Sequence, residues 1–358
     1  MKSESRNSHR SEQLPNDRRL SHQLSPPPSQ VYAYATCHAC CAYCIVVTQM
    51  RAVCNALARI PLRRCRRRRV HASAPRARNR LLFECEELSD CGGQPSAVLR
   101  AGDPRATHIS QVLRAEPGHS LRVGVVNGQR STATLVAGAV SGEWRLLWQA
   151  HAAEPALARP TVDVLLALPR PKEMRRLWAP LAALGVGALF LTNAAKVERF
   201  YYDAVALEPG AVRSELLRGL EQAADTQLPT VLLSKRFPPI LDAAAGRRPW
   251  PVGVPWAQWL VGGVEGLPAR PSILLVAHPH ERALSVSDAL LGCHPATRVL
   301  LAVGPEGGWT SHELDLMLAD TGFGGARAVL VSLGPRTLTT GTALISLLAA
   351  VKEVTRTW

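Results

Sequence analysis

Two glycine-bearing breaks carry most of the chemistry that this sequence offers. LAVGPEGGWT, Leu301 to Thr310, is an apolar run that gives way to Gly304-Pro305-Glu306-Gly307-Gly308, with a single carboxylate in a nearly bare backbone. VSLGPRTLTTGTA, Val331 to Ala343, repeats the device with Arg336 as its lone charge. Glycines let a backbone approach a ligand closely, so that its N–H and C=O groups serve as hydrogen-bond partners. A glycine-rich turn ahead of a helix can also cradle phosphate, although Glu306 opposes a polyanion there and neither GxGxxG nor a Walker pattern is present. A tight structural turn is the plain alternative for GPEGG alone. The second break, so close behind, favours a ligand site.

The elements around these breaks must present them. In open α/β sheets, ligands sit at the carboxyl ends of strands. From Thr161 the chain alternates accordingly: VDVLLAL, ALFLTN, TVLL, SILLVA, RVLLAV and AVLVSL read as buried strands. KEMRRLWAPLAAL places Met174, Leu177, Trp178 and Leu181 at helical spacing and stops at Gly185, with Pro180 as a local flaw. AVRSELLRGLEQAADT turns Leu216, Leu217 and Leu220 inward, and the last helix carries Leu344, Leu347, Leu348 and Val351 on one face. Thr310 with Glu313 forms a capping box that starts a helix directly after GPEGG, with Leu314, Met317 and Leu318 toward the core. The expected class is α/β, a parallel sheet covered on both sides.

The segment 78–150 reads differently. NRLLFECEEL is a first strand, and HISQVLR is a short helix with Ile109, Val112 and Leu113 on its apolar face. LRVGVV and TATLV flank an Asn127-Gly128 hairpin turn, and EWRLLW is a further strand. This is a mainly β unit the size of a small barrel. Residues 151–160, HAAEPALARP, read as a linker, and 161–358 as the α/β domain.

Charge and cysteine are concentrated at the N-terminus. Of the 358 residues, the first 80 hold 16 Lys and Arg against three acids, which leaves 26 basic and 25 acidic residues for the rest of a chain of net charge +14. RNA binding by the body must therefore rest on local patches rather than a general field. Residues 1–77, rich in Arg, Ser and Cys, resemble an organellar transit peptide, which would place the protein in a chloroplast or mitochondrion; without that role it belongs in the cytoplasm. Residues 31–50 are long enough to span a bilayer, but they are mostly Ala, Cys, Tyr and Thr, so no stable membrane association is expected. CHACCAYC, Cys37 to Cys44, holds two overlapping CxxC pairs in a setting that reads as biased composition, and His38, His278 and His294 lack metal spacing; no metal is expected.

LLAVGPEGGWTSHEL followed by TGF and VSLGPRTLTTGTA, preceded by HISQVLRAEPG, the ALGV helix end and GLEQAADTQLPTV, resembles the SPOUT-fold methyltransferases that act on N3 of a uridine in bacterial small-subunit ribosomal RNA. The resemblance covers about residues 79–358. It implies a PUA-like β-barrel that helps to hold RNA, a C-terminal domain with a deep trefoil knot, and a homodimer. It also implies S-adenosylmethionine as cofactor, gripped by three loops: Ala277 and His278; Val303, Gly304, Pro305, Gly307 and Gly308; and Ser332, Leu333, Gly334 and Leu338. Glu306 is then the expected base or nucleobase contact, and Arg336 the stabiliser of charge or positioner of phosphate. Arg80, Arg105, His108 and Arg114 are the expected RNA contacts of the first unit. One loop departs from the family's pattern: where relatives read Leu-Arg-x-Glu-Thr-Ala, this chain has Leu338-Thr339-Thr340-Gly341-Thr342-Ala343, without either charge. A catalytically weak or inactive RNA-binding ribosome-assembly factor of the same fold, or a methyltransferase for another RNA, follows as the alternative.

Overall fold

The computed structural model describes residues 79–91, 93–267, 270–294, 296–319 and 327–355. The leader, the CxxC pairs and the apolar stretch 31–50 lie outside the described residues.

The first lobe is a six-stranded mixed sheet. Its strands are β1 (Leu81–Phe83), β2 (Leu88–Asp90), β3 (Pro95–Leu99), β4 (Ser120–Val125), β5 (Arg130–Ala137) and β6 (Trp144–Trp148), in the order β1-β4-β5-β6-β3-β2. Only the β1–β4 pair is parallel. Alternation along β5 buries Ser131, Ala133 and Leu135, and Phe83 meets Trp148 edge to face at 5.2 Å. NRLLFECEEL is not one strand. Glu87 reaches back to the Glu84 N–H at 2.8 Å and breaks it with a turn at Cys85–Glu87. The helix α1 (Pro104–Thr107) continues into a π turn at His108–Leu113. Its wider winding leaves Ile109 buried and Leu113 half-buried but turns Val112 out to 67% exposure, against the face expected from α-helical spacing.

The second lobe holds a seven-stranded sheet ordered β10-β9-β8-β7-β12-β11-β13. Its strands are β7 (Val162–Ala167), β8 (Ala188–Thr192), β9 (Thr230–Ser234), β10 (Ala257–Val261), β11 (Ile273–Ala277), β12 (Val299–Val303) and β13 (Arg327–Val331). All pairs are parallel except β9 with β10, an edge strand that periodicity does not announce. β7, β8, β9 and β12 are buried at every position, as a sheet covered on both faces requires.

The helices are α2 (Pro171–Ala183), α3 (Pro209–Ala223), α4 (Phe237–Ala244), α5 (Val286–Ala289), α6 (Ser311–Leu318) and α7 (Thr340–Thr355). The expected faces are found: Met174, Leu177, Trp178 and Leu181 on α2, Leu216 and Leu220 on α3, and Leu344, Leu347, Leu348 and Val351 on α7 are buried. Leu217, Leu314 and Leu318 are half-buried. α2 and α3 pack closely because residue 219 is glycine; a β-carbon there would run into the carbonyl of Ala179. Gly185 ends α2 at φ 66°.

The lobes are clasped together. The guanidinium of Arg80 donates to the carbonyls of Ser131 at 3.1 Å and Ala224 at 3.2 Å and to that of Val123. At the hairpin tip, Asn127 N donates to Thr226 O at 2.7 Å, and Leu228 N to Asn127 Oδ1 at 2.9 Å. The stretch expected as a linker is partly tied back, with Glu154 bridged to Arg130 on β5. Among the described residues no helix is long and apolar enough to cross a membrane, and no cluster of His, Cys, Asp or Glu could hold a metal.

Candidate cofactor and substrate site

The carboxyl ends of β11, β12 and β13 each run into a loop, and the three loops enclose a cleft of about 290 Å³ closed on one side by Thr340, Ala343 and Leu347 of α7. Ala277, His278, Val303, Gly304, Pro305, Gly307, Gly308, Ser332, Leu333, Gly334 and Leu338, the residues named from the sequence as cofactor contacts, all line it, and so do Glu306 and Arg336. Register explains the convergence. β11 lies between β12 and β13 and is paired to both, so Ala277, Val303 and Val331 stand side by side and the chain leaves the sheet at one level.

Each loop has its own device. Gly308 N donates to Pro305 O at 2.8 Å, and Gly308 sits at φ 71°, which side-chain-bearing residues rarely adopt. Gly334, at φ 104°, donates its N–H to Ser332 Oγ at 3.1 Å. His278 N donates to Val331 O at 3.1 Å and joins the first loop to the third. The Nδ1 atom of His278 is buried without a hydrogen-bond partner. Burial, with His280 and Lys196 nearby, holds its pKa below the ordinary histidine value. A neutral ring offering an unsatisfied polar atom, beside glycine turns open to backbone contact, suits a polar organic cofactor.

Residues that spacing did not single out complete the site. Lys196 Nζ donates to Gly307 O at 2.6 Å, and a β-carbon at 307 would lie 2.7 Å from the Lys196 Cδ. Gly307 therefore both bares the backbone and seats the lysine. Glu306 Oε1 accepts from Arg170 N at 3.4 Å and lies 4.0 Å from the Arg170 Nε. The expected capping box is present, with Thr310 N and Oγ1 donating to Glu313 Oε2 at 2.8 and 2.9 Å; Oε1 of the same carboxylate takes the N–H of Ala195 at 2.8 Å and ties the start of α6 to the loop after β8. Arg170 and Lys196 follow the carboxyl ends of β7 and β8, and that position is the signal that would have found them.

Two of the first-lobe arginines, Arg80 and Arg105, need correction. Arg80 is 5% exposed and committed to backbone carbonyls, so it braces the lobes and does not reach RNA. Arg105 is bound to Glu87 and to Asp103, at 2.9 Å from the latter, and lies over the Phe83 ring. Those two carboxylates neutralise it and raise its already high pKa further. His108 is half-buried and Arg114 exposed, and the two remain available to a ligand. The altered loop is also locally explained. Thr339 Oγ1 accepts from Thr342 N at 3.2 Å and caps α7, while Gly341 leaves the space that the Glu173 carboxylate enters.

The fold and cleft define an α/β ligand-binding domain preceded by a β lobe. Residues 157–352 match the model of the RNA methyltransferase domain, and the chain belongs to that family. It is 26% identical over 285 residues to ribosomal RNA small subunit methyltransferase E of Treponema pallidum, covering 78% of this chain and 92% of that one. It is 29% identical over 281 residues to the enzyme of that name from Mycobacterium bovis, with 78% and 93% covered. Among solved structures, ribosomal RNA small subunit methyltransferase E of Neisseria gonorrhoeae bound to S-adenosyl methionine shares the fold, with a TM-score of 0.54, 19% identity and 77% and 97% of the chains covered.

Proposed function

We propose that this protein transfers a methyl group from S-adenosylmethionine to N3 of a uridine in small-subunit ribosomal RNA. The observation that carries the reading is the convergence of three strand-end loops, two of them glycine-bearing, on one cleft, with Glu306 and Arg336 at its lining, in a member of the RNA methyltransferase family. The cofactor supplies an electrophilic methyl group when bound. The protein must align uridine N3 with it and favour the loss of the N3 proton. Glu306 accepts that proton in this reading, and Arg170, Lys196 and Arg336 supply the positive field that favours the N3 anion. Arg336 has no acidic partner within 4.0 Å among the described residues, which leaves it free to serve substrate.

Three further parts belong to the same proposal. The first lobe acts as a PUA-like barrel on RNA, through His108 and Arg114 rather than Arg80. The second lobe is knotted: Leu284 bridges to Val331 alongside β13, and the chain beyond then returns as α7 to pack on α5, β12 and β7, which supports a threaded C-terminus. The protein works as a homodimer, for which exposed Leu284, Leu333 and Leu338 near the cleft offer an apolar contact.

A second reading, an RNA-binding assembly factor without catalysis, draws on the uncharged Thr339 and Gly341. Calorimetry with S-adenosylmethionine separates the two, because absence of binding ends the enzyme reading. Mass spectrometry of small-subunit rRNA incubated with the protein and cofactor then tests the product, and failure to find N3-methyluridine refutes the assigned atom.

A further inference from the structure

A second pocket, of about 490 Å³, opens on the far side of the Gly304–Glu313 wall from the cofactor cleft. It lies at the carboxyl ends of β8 and β9, between the Asn193–Ala195 loop, the start of α4 and the first turns of α6. Its floor is apolar, made of Ala194, Ala195, Pro238, Pro239 and Leu316, and its rim carries Lys235, Arg236 and His312. Both rim cations are exposed and steadied by aromatic rings: Lys235 stands 6.0 Å from the Tyr202 ring and Arg236 5.8 Å from that of Trp256. The carboxylate in the lining, Glu313, has its oxygens turned to Thr310 and the Ala195 N–H, and its single charge is outnumbered by the two rim cations. The volume is that of a small-molecule site, and an apolar floor with a cationic rim suits a flat base joined to a phosphate.

Position ties this pocket to the reaction. Ala195 lines it, while the next residue, Lys196, grips Gly307 in the cleft wall. Along the carboxyl edge of the sheet the order β9, β8, β7, β12 sets Lys235, Lys196, Arg170 and Glu306 in a row. The geometry points to this pocket as the site of an unpaired ribonucleotide flanking the methylated residue, its base on the Ala195–Pro238 floor and its phosphate on Lys235 and Arg236. The inference rests on the RNA methyltransferase reading and adds the path along which the RNA strand is held.

The test uses the whole chain, a fluorescein-labelled single-stranded oligouridylate read by anisotropy, and S-adenosylmethionine read by calorimetry. Lys235→Ala with Arg236→Ala removes the rim, and Ala195→Trp fills the floor from an exposed position. Both variants are expected to bind RNA at least tenfold more weakly while cofactor affinity stays within about twofold, and the double variant should lose about 0.7 from its salt slope, the share of one single-strand phosphate. Wild-type RNA affinity in both variants overturns the site. Loss in the double variant with none in Ala195→Trp overturns the base pocket, since it reduces the rim to a surface charge. A wild-type chain that binds cofactor but no RNA overturns the site and leaves the cofactor reading standing. Failure to bind either ligand overturns both.

Discussion

The carboxylate of Glu173, on α2, occupies the place beside Gly341 of α7 where a side chain at 341 would begin. The two helices meet there at the rim of the cofactor cleft, next to Thr340, and the absence of a β-carbon is what admits the acid. Gly341 is therefore complementary to Glu173 and is not simply a lost charge.

This pairing should reduce the gain from a familiar substitution. Gly341→Ala should stabilise the wild-type protein by less than its usual helical gain, because the new methyl group must turn the flexible end of the Glu173 side chain aside. In a Glu173→Ala background the same change should stabilise by about 0.5–1 kcal/mol, the ordinary helical advantage of Ala over Gly. Denaturant midpoints of the four proteins in the cycle measure it, and additive effects would show that the two residues are not coupled.

Arg80 is the clasp between the lobes, so its role is stability rather than RNA affinity. Arg80→Met leaves buried carbonyls of Val123 and Ser131 without their donor and should cost about 2–4 kcal/mol. Thermal unfolding reads the loss. RNA affinity of the folded fraction should remain within about twofold, and a large fall in affinity at unchanged stability would return Arg80 to the RNA surface.

Glu306→Gln keeps the length of the side chain in the GPEGG turn and removes the carboxylate proposed as base. Methyl transfer should fall by about 10²–10⁴-fold, with calorimetric affinity for S-adenosylmethionine nearly unchanged. Arg336→Met should also spare cofactor affinity and lower turnover. A Glu306→Gln enzyme of normal rate would assign the base elsewhere.

His278 should make cofactor affinity depend on pH. Its pKa is held below the ordinary value of about 6.5, so the ring is neutral at pH 7 and becomes cationic only in more acidic solution. A cation there opposes a sulfonium ligand in the same cleft. Affinity should be flat above neutrality and fall in more acidic solution, approaching tenfold per pH unit once the ring titrates. His278→Gln should flatten that fall in a calorimetric pH series, and an unchanged fall would place the titrating group elsewhere.

The parts of this molecule visible in its sequence are those governed by period and by single-residue conformations. The stripe Leu344, Leu347, Leu348 and Val351 marks α7, the Thr310–Glu313 spacing marks the start of α6, and the glycines mark the two turns. Relations between distant segments were not visible. Nothing local says that Val112 will turn outward on a π turn, that Ala179 will press on Gly219, or that β10 will run against its neighbours. Arg80 was misread because charge alone does not reveal whether carbonyls or solvent will surround a guanidinium. Lys196 and Arg170 escaped because an isolated basic residue in a loop has no spacing to betray it. Their nearness to Gly307 and Glu306 exists only once β7, β8 and β12 lie side by side.

The wall that α7 gives the cofactor cleft sets a timetable. Thr340, Ala343 and Leu347 are synthesised after every other part of that cleft, so a chain still emerging can arrange its first lobe and most of its sheet before it has anywhere to lodge the cofactor. Ligand that binds only the finished site cannot guide the early steps; it can act only as a latch on the last one.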